Sequence, residues 1–376
     1  MKYFFLFTII LLTNCTQKKK IKPQKRYAID YALQTFSEFH KENDSIIKTF
    51  EKCINSSKIN EYSQYWRESD TLIFKYAYDD LWFAIADYYP TYIPTIMSIQ
   101  EKAKNKYLIK IAVMGSPEGF NSLNSIYNFY AYREKEGNFK FENVITENLK
   151  QWNTNTIDNI KYIYPPEKEL NQTEIKKQIE FENELISKFD FVKINYTYIS
   201  CNSVYDYMKL RGFDYEDSMF LNNQKGGEAF SSHKLIFSGN NSEYYPHELV
   251  HLYTHKYFKN VNSTINEGLA TYLGGSKELD YLKHIGILKE YLAINKIDLF
   301  EYLFDDEKKY TIIGNVSSIR YSAGALLCAI ADKKNVLNQL LDSGKSNEEL
   351  ILTIENLFDI DRKDFNSFIN EKLSEY

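Results

Sequence analysis

The sequence predicts an α+β protein in two parts, and three observations carry that prediction. Apolar residues fall at near-helical spacing over much of 27–90, with Leu33, Phe36, Phe39, Ile46, Ile47 and Phe50 in phase. Short β-branched and aromatic segments separated by turn residues follow, the pattern of an antiparallel meander set beside helices. From Ser263 to the C-terminus the pattern is helical again. A chain of 376 residues, 44% hydrophobic and 26% charged, is long enough for two or three domains with real cores. The net charge of −5 leaves no basic footprint, so no nucleic-acid partner is expected.

The first residues, "MKYFFLFTIILLTNC", hold an apolar run from Tyr3 to Leu12. Such a run is too short for a membrane-spanning helix and has the size of a signal-peptide core, so residues 1–14 are assigned to a signal peptide. "LTNC" resembles a bacterial lipobox, with Asn14 departing from the small residue usual before the cysteine. The resemblance implies cleavage after residue 14 and a lipid on Cys15; an ordinary cleaved secretory signal is the alternative. Residues 15–26 carry six basic side chains and no apolar cluster, and read as a solvated tether beside an anionic membrane. The expected location is the bacterial cell envelope, lipid-anchored and facing the periplasm or the exterior. Cys53, Cys201 and Cys328 form no CxxC; one bridge is possible, and three buried thiols are the simpler reading.

The N-terminal part, 27–158, places its strands at 94–100, 106–115, 125–134 and 138–146, the last two joined through "KEGN". On pattern alone it resembles the nuclear-transport-factor-like cone fold. Residues 152–159 are polar and read as a connector to the second part, 159–376. There, a strand at 159–164 stops at Pro165–Pro166, a helix spans 170–188, and a strand covers 191–200. A glycine-containing loop then leads to a strand at 228–239. No phosphate-binding loop, dinucleotide fingerprint or GxSxG elbow is present.

Three of the six histidines lie within "YYPHELVHLYTH", residues 244–255. His247 and His251, four apart on a helix, lie on one face and can converge on one ion. Glu248 falls about 100° round the helix, beside that face, where it can reach water at the ion without ligating it. Pro246 suits the first turn of such a helix. "HELVH" is an HExxH sequence, which also arises by chance. His255 is eight residues from His247, about 12 Å along a helix, too far to share the ion. Glu267, sixteen residues after His251 in "STINEGLATYLGG", is the candidate third ligand. The alternative for Glu267 is a capping box with Thr264.

"HELVH" followed by "NEGLA" resembles the gluzincin metallopeptidases, zincin-fold enzymes, over roughly 159–376. The resemblance implies one zinc ion per chain on His247, His251 and Glu267, with Glu248 as general base in peptide-bond hydrolysis. It implies a peptide or protein substrate, paired with the edge strand in "GGEAFSSHKLIF". It also implies a tyrosine at the start of a later helix that donates to the oxyanion; Tyr321 stands there, a core or rim tyrosine being the alternative. Thr271 departs from the family, many members of which carry an acidic residue four after the ligand glutamate to support a histidine. No GxMxN-type motif marks an aminopeptidase. The other functional reading is a membrane-anchored binding or scaffold lipoprotein whose zinc site is structural or degenerate, which would not need the intact Glu248.

Overall fold

The computed structural model describes residues 26–36, 41–55, 63–67, 91–220 and 225–376. The signal segment, Cys15 and all of the tether but Arg26 lie outside the described residues. The protein is α+β, as its sequence predicts. Strand β1 (Ala28–Ile29) and helices α1 (Tyr31–Phe36) and α2 (Lys41–Asn55) precede a meander of β2 (Tyr92–Ala103), β3 (Lys106–Gly115), β4 (Ser122–Arg133) and β5 (Phe139–Asn143). The strands run β1-β2-β3-β4-β5, antiparallel from β2 to β5. Alternation sets the faces: Tyr107, Ile109, Ile111, Tyr127, Phe129 and Ala131 are buried, and α2 lays Ile46, Phe50, Cys53 and Ile54 over them.

After the short α3 (Ile145–Asn148) come β6 (Asn153–Ile157) and β7 (Ile160–Tyr164), α4 (Gln172–Phe189), β8 (Tyr196–Ser200), α5 (Val204–Arg211) and β9 (Phe213–Glu216). β10 (Gly227–Phe230) and β11 (Leu235–Ser238) complete a second sheet in the order β10-β11-β8-β7-β6. Two sequence expectations fail here. Residues 153–157, read as a connector, are an edge strand paired antiparallel with β7, so a boundary at 158/159 cuts a two-residue turn with Asp158 at φ 55°. The segment 228–239, read as one strand, is a hairpin folded at Lys234 (φ 52°), and of its two strands only β10 lies at a sheet edge.

The inner strands of the second sheet, β7, β8 and β11, are buried on both faces, and they fuse the two parts. Ile160, Tyr162, Tyr196, Tyr198 and Ile236 enter one core, whereas Ile163, Ile199, Leu235 and Phe237 enter the core of the first sheet. Residues 201–226, read as a loop, hold α5 and β9, and β9 crosses back to pair with β4. The cues for α5 are in the sequence: Ser203 caps it by accepting from Asp206 N, and Gly212 ends it at φ 114°.

The helical region follows: α6 (Pro246–Tyr257), α7 (Ser263–Gly274), α8 (Tyr281–Ile294) and α9 (Leu299–Phe304). A small hairpin, β12 (Ile312–Ile313) and β13 (Ser317–Ser318), leads into α10 (Ile319–Lys333), α11 (Leu337–Leu341), α12 (Asn347–Phe358) and α13 (Phe365–Leu373). Cys53, Cys201 and Cys328 are free and buried, as the simpler reading expects. No helix among the described residues is long and apolar enough to cross a membrane.

Asp214 of β9 anchors the crossing strand. It accepts from Lys110 Nζ at 2.6 Å, Lys209 Nζ at 2.7 Å and Asn128 Nδ2 at 2.9 Å. Burial pushes its carboxyl up, but these three donors outweigh burial and hold the pKa at about 2. A depressed folded pKa stabilises the fold above the unfolded value of about 3.9 and loses that contribution as pH falls toward about 2. After a discount for solvent screening, Asp214→Asn should cost about 1 kcal/mol at pH 7 and almost nothing near pH 2. Urea unfolding of both proteins at the two pH values measures this, and an equal cost at both would refute it.

Candidate metal centre

Helix α6 is buried from Pro246 through Thr254. Pro246 occupies its first turn, where a missing N–H goes unnoticed. Leu249, Val250, Leu252 and Tyr253 join the larger core. The remaining direction carries His247, Glu248 and His251, which are only 6, 7 and 8% exposed. Polar groups buried this deeply need partners or a ligand. They line a hollow of about 270 Å³ together with Ala229 of β10, Glu267 of α7 and Tyr321 of α10.

Glu267 Oε2 stands 3.4 Å from His247 Nε2 and 3.6 Å from His251 Nε2. Two donors about 2.05 Å from one tetrahedral ion stand about 3.3 Å apart, so this spacing suits a shared cation. The three ligand atoms lie within 4.8 Å of one another, and this His-His-Glu group could hold a metal ion. Burial pushes the Glu267 carboxyl up, but the two facing imidazoles outweigh it and keep the group well below the usual carboxylate range. His247 Nδ1 lies 2.7 Å from the Gly275 carbonyl, which can only accept. That contact puts a proton on Nδ1 and turns Nε2 toward Glu267.

Glu267 does not cap its helix. Asn262 caps α7, accepting from Thr264 N at 2.8 Å, and the Thr264 hydroxyl is buried without a partner. The capping-box alternative therefore fails. Thr271 supports neither histidine: its hydroxyl is likewise buried without a partner, and the Gly275 carbonyl holds His247 instead. His251 Nδ1 is buried without a hydrogen-bond partner. His255 is exposed at the lip of the hollow, its Nε2 3.4 Å from Asn266 Nδ2, and lies outside the ligand group as the helix rise requires.

Glu248 stands beside the three ligands and outside their group. Burial pushes its pKa up to about 7; His247 opposes the shift, Glu267 and Glu228 add to it, and a hydrogen bond from the Ala229 N–H opposes it. Tyr321 sets its ring edge-on to His247, centroids 6.0 Å apart. Burial, with Glu267 second, raises its hydroxyl above the ordinary tyrosine range, so it is a neutral donor at pH 7. Sequence reasoning missed Arg320, whose Nη2 donates to Ser263 O at 2.9 Å and lies 3.5 Å from Glu267 Oε1. No local pattern marks it; the crossing of α7 and α10 alone brings it to Glu267.

No protein-family model and no curated protein matches the chain.

The donor set predicts about one divalent transition-metal ion per chain. Free metal at a hundred times its dissociation constant should stabilise the protein by about 2.7 kcal/mol. His247→Ala and His251→Ala should each lose most of that gain, and Glu267→Gln should lose part of it. Calorimetric melting with added metal or with a chelator reads the effect. A wild-type melting temperature indifferent to both would count against the site.

Proposed function

We propose that this protein is a zinc-dependent peptidase of the gluzincin kind, with a zincin-like second part, acting on peptide or protein substrates outside the cytoplasm. The observation that carries the reading is the convergence of His247, His251 and Glu267, with a buried Glu248 beside them and outside their group. His₂Glu is a set that leaves an open position for chemistry, and a structural site has no use for an adjacent acid–base group. Zinc held by these residues supplies a Lewis acid that polarises a carbonyl and acidifies water.

The chain's own residues do the rest. Glu248, buried beside the ligand group, accepts a proton from water and returns it to the leaving amine. Tyr321, neutral and on the wall of the hollow, donates to the oxygen of the reacting carbonyl as negative charge develops there. β10 ends its sheet beside Glu248, so an extended peptide can pair with its outer edge and be held along the hollow. The lipid on Cys15 and the basic tether hold this machinery at the envelope surface.

Turnover of a quenched peptide library separates the peptidase from a metal-holding scaffold. Wild type should cleave. Glu248→Gln should keep zinc and fold yet lose at least about 10²-fold in kcat. Tyr321→Phe should lose roughly 10²-fold in kcat with little change in KM. Zinc without turnover in wild type would assign the scaffold role, and full activity in Glu248→Gln would remove the general base. For the anchor, Cys15→Ser should abolish labelling by a palmitate analogue and release the protein from membranes. Unchanged labelling would exclude Cys15 as the lipid site.

A further inference from the structure

His284 is fully buried on α8 and belongs to no part of the hollow. Its Nε2 lies 3.1 Å from the Ser276 carbonyl and its Nδ1 2.6 Å from Ser317 Oγ. A carbonyl only accepts, so the proton sits on Nε2, and Nδ1 must accept from the Ser317 hydroxyl. That spends the Ser317 proton, so Ser322 Oγ, 2.8 Å away, donates to Ser317. One proton arrangement satisfies the whole chain.

Both ends of this hydrogen-bond chain adjoin elements that carry residues of the candidate metal centre. Ser276 opens a tight turn closed by Ser276 N to Leu279 O and Leu279 N to Ser276 O, each 2.9 Å, with Lys277 and Glu278 at φ 48° and 65°. The peptide plane that carries Ser276 N–H also carries the Gly275 carbonyl, the acceptor of His247 Nδ1. Fixing the turn therefore fixes the carbonyl that orients a metal ligand. At the other end, Ser317 and Ser322 bracket the start of α10, where Arg320 and Tyr321 sit.

We infer that His284 is a positioning residue for the metal centre: it locks the turn that orients His247 and ties that turn to the helix end bearing Tyr321. The inference rests on the metal-site reading proposed above, but its test does not depend on hydrolysis. The full mature chain, ¹⁵N-labelled at histidine, reports the His247 tautomer by NMR without metal, and chelator competition reports zinc affinity.

Wild type should show a proton held on His247 Nδ1. His284→Leu should mix the His247 tautomers and raise the zinc dissociation constant roughly 10-fold. His284→Gln should preserve both, since an amide can donate to Ser276 and accept from Ser317. Leu288→Ala, a buried change on the same helix outside the network, should lower the melting temperature and move neither readout. A folded His284→Leu with the wild-type tautomer and affinity overturns the inference. If His284→Leu does not fold, Ser317→Ala decides, and unchanged His247 signals overturn it. If wild type binds no zinc, the peptidase reading falls while the tautomer still decides the role of His284.

Discussion

Helices α7 and α10 meet backbone to backbone, and the geometry of the candidate metal centre depends on that contact. A Cβ at Gly268 would come within 2.3 Å of the Gly324 carbonyl carbon, and one at Gly324 within 2.8 Å of Thr264 O. No side chain fits between them, so the helix axes are as close as peptide groups allow. Glu267 is one residue from the first glycine and Tyr321 three from the second. The crossing therefore sets Glu267 and the Tyr321 phenol on one wall, with Arg320 reaching Glu267 between them. Even a methyl group at either position would force the helices apart and carry Glu267 away from the histidines.

The opposite wall is α6, and there the difficulty is electrostatic. His247, His251, Glu248 and Glu267 crowd the inner wall of a small hollow, an arrangement that costs free energy unless the groups satisfy one another. The Gly275 carbonyl, the Ala229 N–H and the facing Glu267 meet part of that need. His251 Nδ1 and Arg320 Nε, both buried without partners, show that it is not fully met. A cation would neutralise the Glu267 charge and engage both Nε2 atoms at once, which gives the donor set a reason to exist at this depth.

A rigid frame is needed to hold such a site, and the double-sided second sheet provides it. Its strands alternate side chains between two cores, so the N-terminal meander and the helical region share one wall. β9, pinned to the first sheet through Asp214, adds a second tie. Loosening either part would be felt at β10, the strand that meets Glu248.

What the sequence by itself determined is what local rules govern. The α+β character, the four meander strands, the helical C-terminal region and the hairpin at "KEGN" follow from residue periodicity and turn chemistry. The pairing of His247 with His251 follows from the 3.6-residue helix, which also sets Glu248 aside and excludes His255. Tertiary structure decided everything that needs two distant segments. Residues 153–157 carry Asn and Thr on an exposed edge, so no apolar alternation marks them, and only β7 makes them a strand. β9 is four residues long and takes its partner from a strand some ninety residues earlier. Whether Glu267 capped a helix or faced the histidines was open locally, because both roles suit a carboxylate near a helix start; Asn262 took the cap, two residues before Thr264, and the glycine crossing turned Glu267 inward. The Gly275 carbonyl, Arg320 and His284 carry no local signature at all, because a contact through space is set by how helices cross, and no periodicity along one chain encodes the distance between two.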